Sequence, residues 1–280
     1  MTTLDQIVEV TRKRVSSVRE DVSAGELERA AAKHTPRGFR EALLRASTSG
    51  PAVIAELKKA SPSQGEIRGS FPVGRLAQQL EQGGAAALSV LTEEVFFQGS
   101  LANLREASAA TSLPCLRKDF IVDEYQLIEA RANAADAVLL IVAALDDAQL
   151  RLLHARAREL HLDVLVEVHD EAELARAIAL GADIIGVNSR DLRTLAVDMG
   201  TPVRLAPQLP RTALRIAESG LNAHIEIRNL GMIGYQGFLI GTSLMKAEDP
   251  GAALQQLIAS AKAPPLGASG VARWSAGTRD

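Results

Sequence analysis

Residues 163–188 read DVLVEVHDEAELARAIALGADIIGVN. Two apolar runs, Asp163–Val168 and Asp183–Val187, flank a segment that opens Asp170-Glu171-Ala172-Glu173. That opening has the D-x-x-E form of a helix capping box. The runs are continuous rather than alternating, as expected of parallel strands covered on both faces. The unit is strand, helix, strand.

Working outward, the same alternation recurs. Further apolar runs are Ala52–Leu57, Ala85–Leu91, Pro114–Leu116, Asp136–Val142, Ala213–Ala217 and Gly237–Ile240. Asp147–Leu160 places Leu150, Leu153, Ala157 and Leu160 on one helical face. Asp123 and Gln126 mark another helix start, and residues 73–81, 101–110 and 222–230 read as helices. Gly84-Ala85-Ala86, Ala135-Asp136-Ala137, Gly181-Ala182-Asp183 and Tyr235-Gln236-Gly237 each precede a run. They recur at intervals of about fifty residues with one strand between, so the repeat unit is two βα modules. Four units make eight strands, which predicts a closed (β/α)₈ TIM barrel. An open doubly wound sheet fits less well, because no G-x-G-x-x-G follows the first strand. Residues 3–45 read as one or two helices preceding the barrel, and the barrel domain with this extension spans 1–262. The tail 263–280, rich in Pro, Gly, Ala and Ser, is expected to be disordered.

Composition excludes several classes. A net charge of −3 with 3% aromatic residues gives neither the footprint nor the stacking platforms of a nucleic-acid binder. No stretch reaches about 18 apolar residues, and no basic segment followed by an apolar run opens the chain. A cytoplasmic protein with no membrane association is expected. Cys115 has no second cysteine to pair with and reads as a core residue. The five histidines lack metal-ligand spacing, so no metal is expected. His154 and His161 are read as lying two turns apart on one helix, in solvated or capping roles.

Barrel enzymes place their chemistry at the C-terminal ends of the strands. On the first strand, period two puts Ile54, Glu56 and Lys58 on one face. Two opposite charges entering a barrel mouth are costly unless paired or used on a substrate. A buried Glu–Lys plug and a substrate site fit this strand equally. The third strand ends Arg117-Lys118-Asp119-Phe120, and Glu167 sits inside the apolar fifth, where an unpaired carboxylate is disfavoured. Lysines from neighbouring strand ends are its expected partners. Two lysines and two glutamates on one rim make an acid–base constellation. The sixth strand ends Asn188-Ser189-Arg190, where Arg190 and Asp191 could simply form a surface ion pair. The seventh and eighth end Glu218-Ser219-Gly220 and Gly241-Thr242-Ser243. Small residues there let backbone N–H groups approach an anion such as a phosphate, with Ser61 adding a hydroxyl.

In order and spacing, ELKKASPS (56–63), ALSVLTEEVFFQGS (87–100), LRKDFIVDEYQ (116–126), LVEVHD (165–170), GVNSRDL (186–192), AESG (217–220) and FLIGTSLM (238–245) resemble the signature segments of indole-3-glycerol phosphate synthases. The likeness runs from about Leu4 to Ile258. It implies a cofactor-free lyase of tryptophan biosynthesis acting on 1-(2-carboxyphenylamino)-1-deoxyribulose 5-phosphate. Ring closure, decarboxylation and dehydration would give indole-3-glycerol phosphate, CO₂ and water.

Matched position by position, the resemblance implies that Lys118 is the general acid of ring closure and that Glu167 is the acid–base group of dehydration. Lys58 becomes a second catalytic lysine contacting the substrate carboxylate. Glu56, Asn188 and Ser219 join the catalytic set. Ser61, Arg190 and Glu218 support the substrate, and Phe97, Phe120, Leu139, Leu192 and Ile240 form an apolar wall around its ring. Gly220, Gly241 and Thr242 match a phosphate cradle. Departures from the family pattern are Gln64, often a lysine, the unusually apolar stretch 227–236 and the tail beyond residue 263. The partner expected is a phosphorylated small molecule, and the chain is expected to be a monomer. Another phosphate-binding barrel, such as a phosphoribosyl isomerase, predicts the same fold and loops but not this set of lysines and glutamates. A Schiff-base role for Lys118 and a non-enzymatic assembly subunit are further alternatives. Leu4, Ile7, Val8 and Val15 suggest that the N-terminal helices pack on the barrel and help cover its mouth.

Overall fold

The computed structural model describes residues 2–262, so the expected disordered tail lies outside the described residues. Eight parallel strands close into a barrel: β1 (Ala52–Leu57), β2 (Ala87–Leu91), β3 (Cys115–Lys118), β4 (Ala137–Ile141), β5 (Asp163–Val168), β6 (Ile184–Asn188), β7 (Leu214–Glu218) and β8 (Gly237–Ile240). Each pairs with its chain neighbours, and β8 returns to β1 through Ala52↔Gly237 and Ile54↔Leu239. The helices that follow are α4 (Val73–Gln82), α5 (Leu101–Ala110), α6 (Glu124–Ala132), α7 (Asp147–Glu159), α8 (Glu171–Leu180), α9 (Gly200–Leu205), α10 (His224–Met232), and α11 (Thr242–Lys246) with α12 (Pro250–Lys262). The expected TIM barrel is present.

Period two divides each strand between two cores. Ile54, Leu116, Leu139, Leu165, Ile216 and Leu239 fill the barrel interior. Val53, Leu88, Cys115, Val138, Val164, Ile185 and Phe238 face the helix layer. Cys115 is buried there, and burial pushes its thiol up to about 12, so it is an inert core residue as expected.

Strand ends differ from expectation in an informative way. β3 continues through Lys118, β6 through Asn188 and β7 through Glu218. The polar residues lie within the last pairs of the ladder, not beyond it. Their backbones pair as Leu91↔Lys118, Ile141↔Glu167 and Asn188↔Glu218. The ladder therefore fixes the side chains that the mouth presents.

The N-terminal extension forms three helices, not one or two: α1 (Thr3–Asp21), α2 (Ala24–Ala31) and α3 (Phe39–Ser47). Ser23 opens a new helix through a capping box with Glu26, and Gly38 turns the chain at φ +75° before Phe39. Leu4, Ile7 and Val8 of α1, and Phe39 and Leu43 of α3, join the interior core. α2 lies against α6. Asp136 and Asp163, at the N-terminal ends of β4 and β5, anchor Arg37 and the Arg40 amide. The extension thus runs from the mouth to the opposite end of the barrel. His161 lies just beyond α7 at φ +57°, so it does not share a helix with His154.

Candidate active site

The barrel mouth holds a cavity of about 480 Å³. All seventeen residues singled out in the sequence border it: Glu56, Lys58, Ser61, Phe97, Lys118, Phe120, Leu139, Glu167, Asn188, Arg190, Leu192, Glu218, Ser219, Gly220, Ile240, Gly241 and Thr242.

At its floor stand two ion-paired groups. Lys58 Nζ lies 2.7 Å from Glu56 Oε1. Lys118 Nζ lies 3.2 Å from Glu167 Oε2 and 3.4 Å from Glu218 Oε2. The Glu167 side chain is completely buried, as is nearly all of Glu218. Burial alone would push the Lys118 ammonium down, but Glu167, Glu218 and Glu56 outweigh it and hold its pKa above the lysine range. Burial would likewise raise Glu167, yet Lys118, with His169 and Asn188, holds it well below the usual carboxylate range.

Glu218 behaves in the opposite way. Burial raises its pKa, Lys118 offsets this only in part, and the charges of Glu167 and Glu56 add to the rise. Neither Glu218 oxygen has a hydrogen-bond partner among the described residues. A buried carboxyl in that state costs least when neutral. Lys58 and Lys118 on the floor, with Arg190 at the rim, then face the charges of Glu56 and Glu167. That excess of positive charge suits an anionic substrate.

Small residues make room for these carboxylates. A Cβ on Gly186 would lie 2.0 Å from Glu218 Oε1, and one on Gly241 would lie 2.6 Å from Glu56 Oε1. Gly186 is the register partner of Glu167, so the glycine opens the interior where two acids meet.

The apolar wall is built by loops. Glu93 accepts hydrogen bonds from the Val95, Phe96 and Phe97 amides at 2.7–3.0 Å, which folds the loop after β2 and turns Phe97 toward the mouth. Phe97 meets Phe120 at a centroid distance of 6.2 Å. Gln126 holds the other side, accepting from the Val122 amide and donating to the Phe120 carbonyl. Behind it, buried Arg117 donates to Asp119 and Glu129, and Asp119 accepts from Thr92. Ile240 borders the cavity, but its side chain belongs to the outer layer, and Leu239 is the β8 residue that faces inward. Period two explains the difference, because Leu239 pairs with Ile54 and Glu218.

Ser219 and Gly220 adopt successive left-handed conformations at φ +63° and +73°. They turn the chain after β7, bordering the same cavity as Gly241 and Thr242 at the start of α11. A Cβ on Gly220 would meet Met199 Sδ at 2.3 Å. Arg190 does not pair with Asp191, so the alternative of a simple surface ion pair is not realised. Its guanidinium donates to the Leu195 carbonyl, while Asp191 accepts from the Arg193 and Thr194 amides to shape the loop.

Some lining residues were not anticipated. Val197 and Met199 enter from the loop after β6, Asn222 from the turn after β7 and Glu226 from the first turn of α10, whereas Ile7 of α1 belongs to the cover read from the sequence. Loop and long-range placements carry no periodic signal. Leu239 was accessible from strand alternation. A small hairpin of two-residue strands, Ala60–Ser61 with Gly65–Glu66, also went unread, and it carries Ser61 to the rim. Arg68 ties the end of this loop to the Met245 and Ala247 carbonyls at 2.9 and 2.7 Å.

Solved structures with the same fold include a thiamine phosphate pyrophosphorylase from Pyrococcus furiosus, with TM-score 0.57 and 17% identity over 77% of this chain and 96% of that one. Another is 3-hexulose-6-phosphate synthase from Salmonella typhimurium, with TM-score 0.60 and 13% identity over 75% of this chain and 98% of that one. At these identities the likeness concerns the fold alone. In sequence, the chain is 54% identical over 256 residues to an indole-3-glycerol phosphate synthase of Koribacter versatilis (strain Ellin345), covering 91% of this chain and 98% of the relative. Residues 4–257 match the family model described as indole-3-glycerol phosphate synthase, and the chain belongs to that family.

Proposed function

We propose a division of labour at the barrel mouth for the family reaction, a carboxy-lyase step that closes the indole ring in tryptophan biosynthesis. The anthranilate ring of 1-(2-carboxyphenylamino)-1-deoxyribulose 5-phosphate lies against Phe97, Phe120, Leu139 and Leu192. Its ring carbon bearing the carboxylate attacks the ribulose carbonyl carbon. The carbonyl oxygen gains electron density as that bond forms, and the Lys118 ammonium supplies its proton. Lys58, steadied by Glu56, faces the carboxylate. The carbon–carbon bond to the carboxylate then breaks, its electron pair restores the aromatic ring, and CO₂ leaves.

Dehydration follows. The new hydroxyl leaves as water with a proton from the floor, and the neighbouring carbon loses its proton to a base. Glu167, held ionised against Lys118, is the acid–base group of this step. Glu218, Asn188 and Ser61 orient the ribulose chain, with Arg190 at the rim. Ser219, Gly220, Gly241 and Thr242 present small residues and backbone N–H groups to the phosphate. The protein acts as a cytoplasmic monomer, with residues 1–262 as one domain. No helix among the described residues is long and apolar enough to cross a membrane.

The observation carrying this reading is the contact of one lysine ammonium with two buried glutamate side chains at 3.2 and 3.4 Å on the cavity floor. The test is indole formation from the carboxyphenylamino substrate, followed by absorbance without added metal. Lys118→Ala and Glu167→Gln are each expected to lower kcat by roughly 10²–10⁴-fold with a smaller change in KM. A kcat near wild type in either variant removes that residue from its role.

A further inference from the structure

His169 follows β5 directly and points back toward the floor. Its Nε2 lies 3.3 Å from Glu167 Oε1, the oxygen opposite the one that meets Lys118. Its Nδ1 lies 2.9 Å from Glu173 Oε2, and that same oxygen accepts from the His169 amide at 2.8 Å. Glu173 is fixed in turn. It sits in the first turn of α8, and its amide donates to the N-cap Asp170 at 2.8 Å. The D-x-x-E sequence is therefore only half a capping box, with the Glu173 carboxylate spent on His169 instead of the Asp170 amide. The carboxylate partner places a proton on Nδ1, and Nε2 then stands at ion-pair distance from Glu167 Oε1, without the alignment of a hydrogen bond.

The consequence follows from charge. With Nδ1 protonated, a neutral ring would set the Nε2 lone pair against a carboxylate. A ring protonated at both nitrogens gives Glu167 a second cation on its free oxygen. Burial opposes that charge, but Glu167 and Glu173 outweigh it and raise His169 to about 10. Glu167 thus lies between two cations supplied by different elements, Lys118 from β3 and His169 from the end of β5.

We propose that His169, oriented by Glu173, is a positioning residue for Glu167, pairing with its second oxygen and keeping it ionised for the acid–base step. This rests on the role given above to Glu167. The groups facing the pair are Lys118 on β3, Glu218 on β7, Glu56 on β1 with Lys58 just after it, Asn188 on β6 and Glu173 on α8. The smaller cavity behind His169 is bordered by Asp170, Asp191, Arg193 and Arg204. His169 borders that cavity and not the main one, so it is not placed to touch substrate.

The experiment measures kcat, KM and the pH profile of kcat for His169→Ala and Glu173→Gln, alone and combined with Glu167→Gln. His169→Ala is expected to lower kcat by about 10–100-fold, a range typical of partners that orient an acting group, with KM nearly unchanged. Its acid limb moves to higher pH, because Glu167 has lost one of its two cations. Glu173→Gln keeps the shape and the amide contact, and moves both readouts less in the same direction. In the Glu167→Gln background, His169→Ala adds no further loss, as required of a residue acting through Glu167. An unchanged kcat and acid limb in folded His169→Ala overturns the proposal, as does a loss that simply multiplies with that of Glu167→Gln. If His169→Ala does not fold, Glu173→Gln decides by the same criteria. Wild-type turnover by Glu167→Gln alone is a separate outcome: it refutes the role of Glu167, and this inference with it.

Discussion

The charged residues of the mouth were legible because they break an apolar pattern. Glu56, Lys118 and Glu167 sit at strand positions where neighbours at period two are hydrophobic, and an unpaired charge there is costly. Their pairing is how the fold meets that cost. His169 was not legible, because its importance depends on a carboxylate four residues away that a capping motif seemed to employ already. Ile240 shows a related difference, bordering the cavity while its side chain packs in the outer layer. Matching a family position says which residue borders a cavity, whereas strand alternation says which side chain enters it. The His169 ion pairs also predict a pH signature. Its pKa rises from about 6.5 in an unfolded chain to about 10 in the fold. The native state therefore binds that proton more tightly, and the stabilisation is full below pH 6.5 and is lost as pH rises through 10. Urea denaturation across this range should show the stability gap between wild type and His169→Ala steady at the acid end and narrowing toward alkaline pH. A gap that widens with pH contradicts a charged His169.

At the scale of elements, helix and strand positions follow local sequence closely, whereas the loops that complete the site do not. The clearest case is α1. Its apolar face, with Leu4, Ile7, Val8 and Val15 buried, was readable, and so was its packing on the barrel. Its attachment was not, since it joins residues more than a hundred positions apart. Arg14 makes a two-pronged contact with Glu129 of α6 at 3.1 and 2.8 Å, and Glu129 in turn accepts from buried Arg117, the residue before Lys118. Tyr125 adds a hydrogen bond to the Val22 carbonyl. Ile7, on the same helix, borders the cavity. Arg14→Ala leaves Glu129 with Arg117 as its remaining cation and frees the helix to lift. The expected result is KM raised several-fold, on the order of 1 kcal/mol of uniform binding, with a smaller effect on kcat. Steady-state kinetics check it. Unchanged KM shows that α1 stays seated without this contact, or that its cover contributes nothing to binding.

Across the whole molecule, the two ends of the barrel divide stability from chemistry. The mouth carries buried carboxylates, two consecutive left-handed residues and a carboxyl group without hydrogen bonds, all costly to the fold. The opposite end compensates with apolar packing. Phe39 and Leu43 of α3 are fully buried against the interior, and nearby Asp136, also fully buried, receives the Arg37 guanidinium and the Cys115 amide. The barrel itself was legible from repetition, since a pattern seen eight times outweighs an error in any one run. The docking of α3 was not, because a short amphipathic helix before the first strand has no periodic sign of where it packs. Truncating Leu43 to Ala removes interior packing at a site hemmed in by strands and unable to collapse freely. A loss of about 2–5 kcal/mol of stability is expected. Leu43 does not border the mouth cavity, so kcat and KM measured well below the unfolding transition should stay within about twofold of wild type. Denaturant melts and initial rates on one preparation test both halves. A stability loss accompanied by a proportionate fall in kcat shows that strain travels the length of the barrel, and that the two ends are one cooperative unit for catalysis as well as folding.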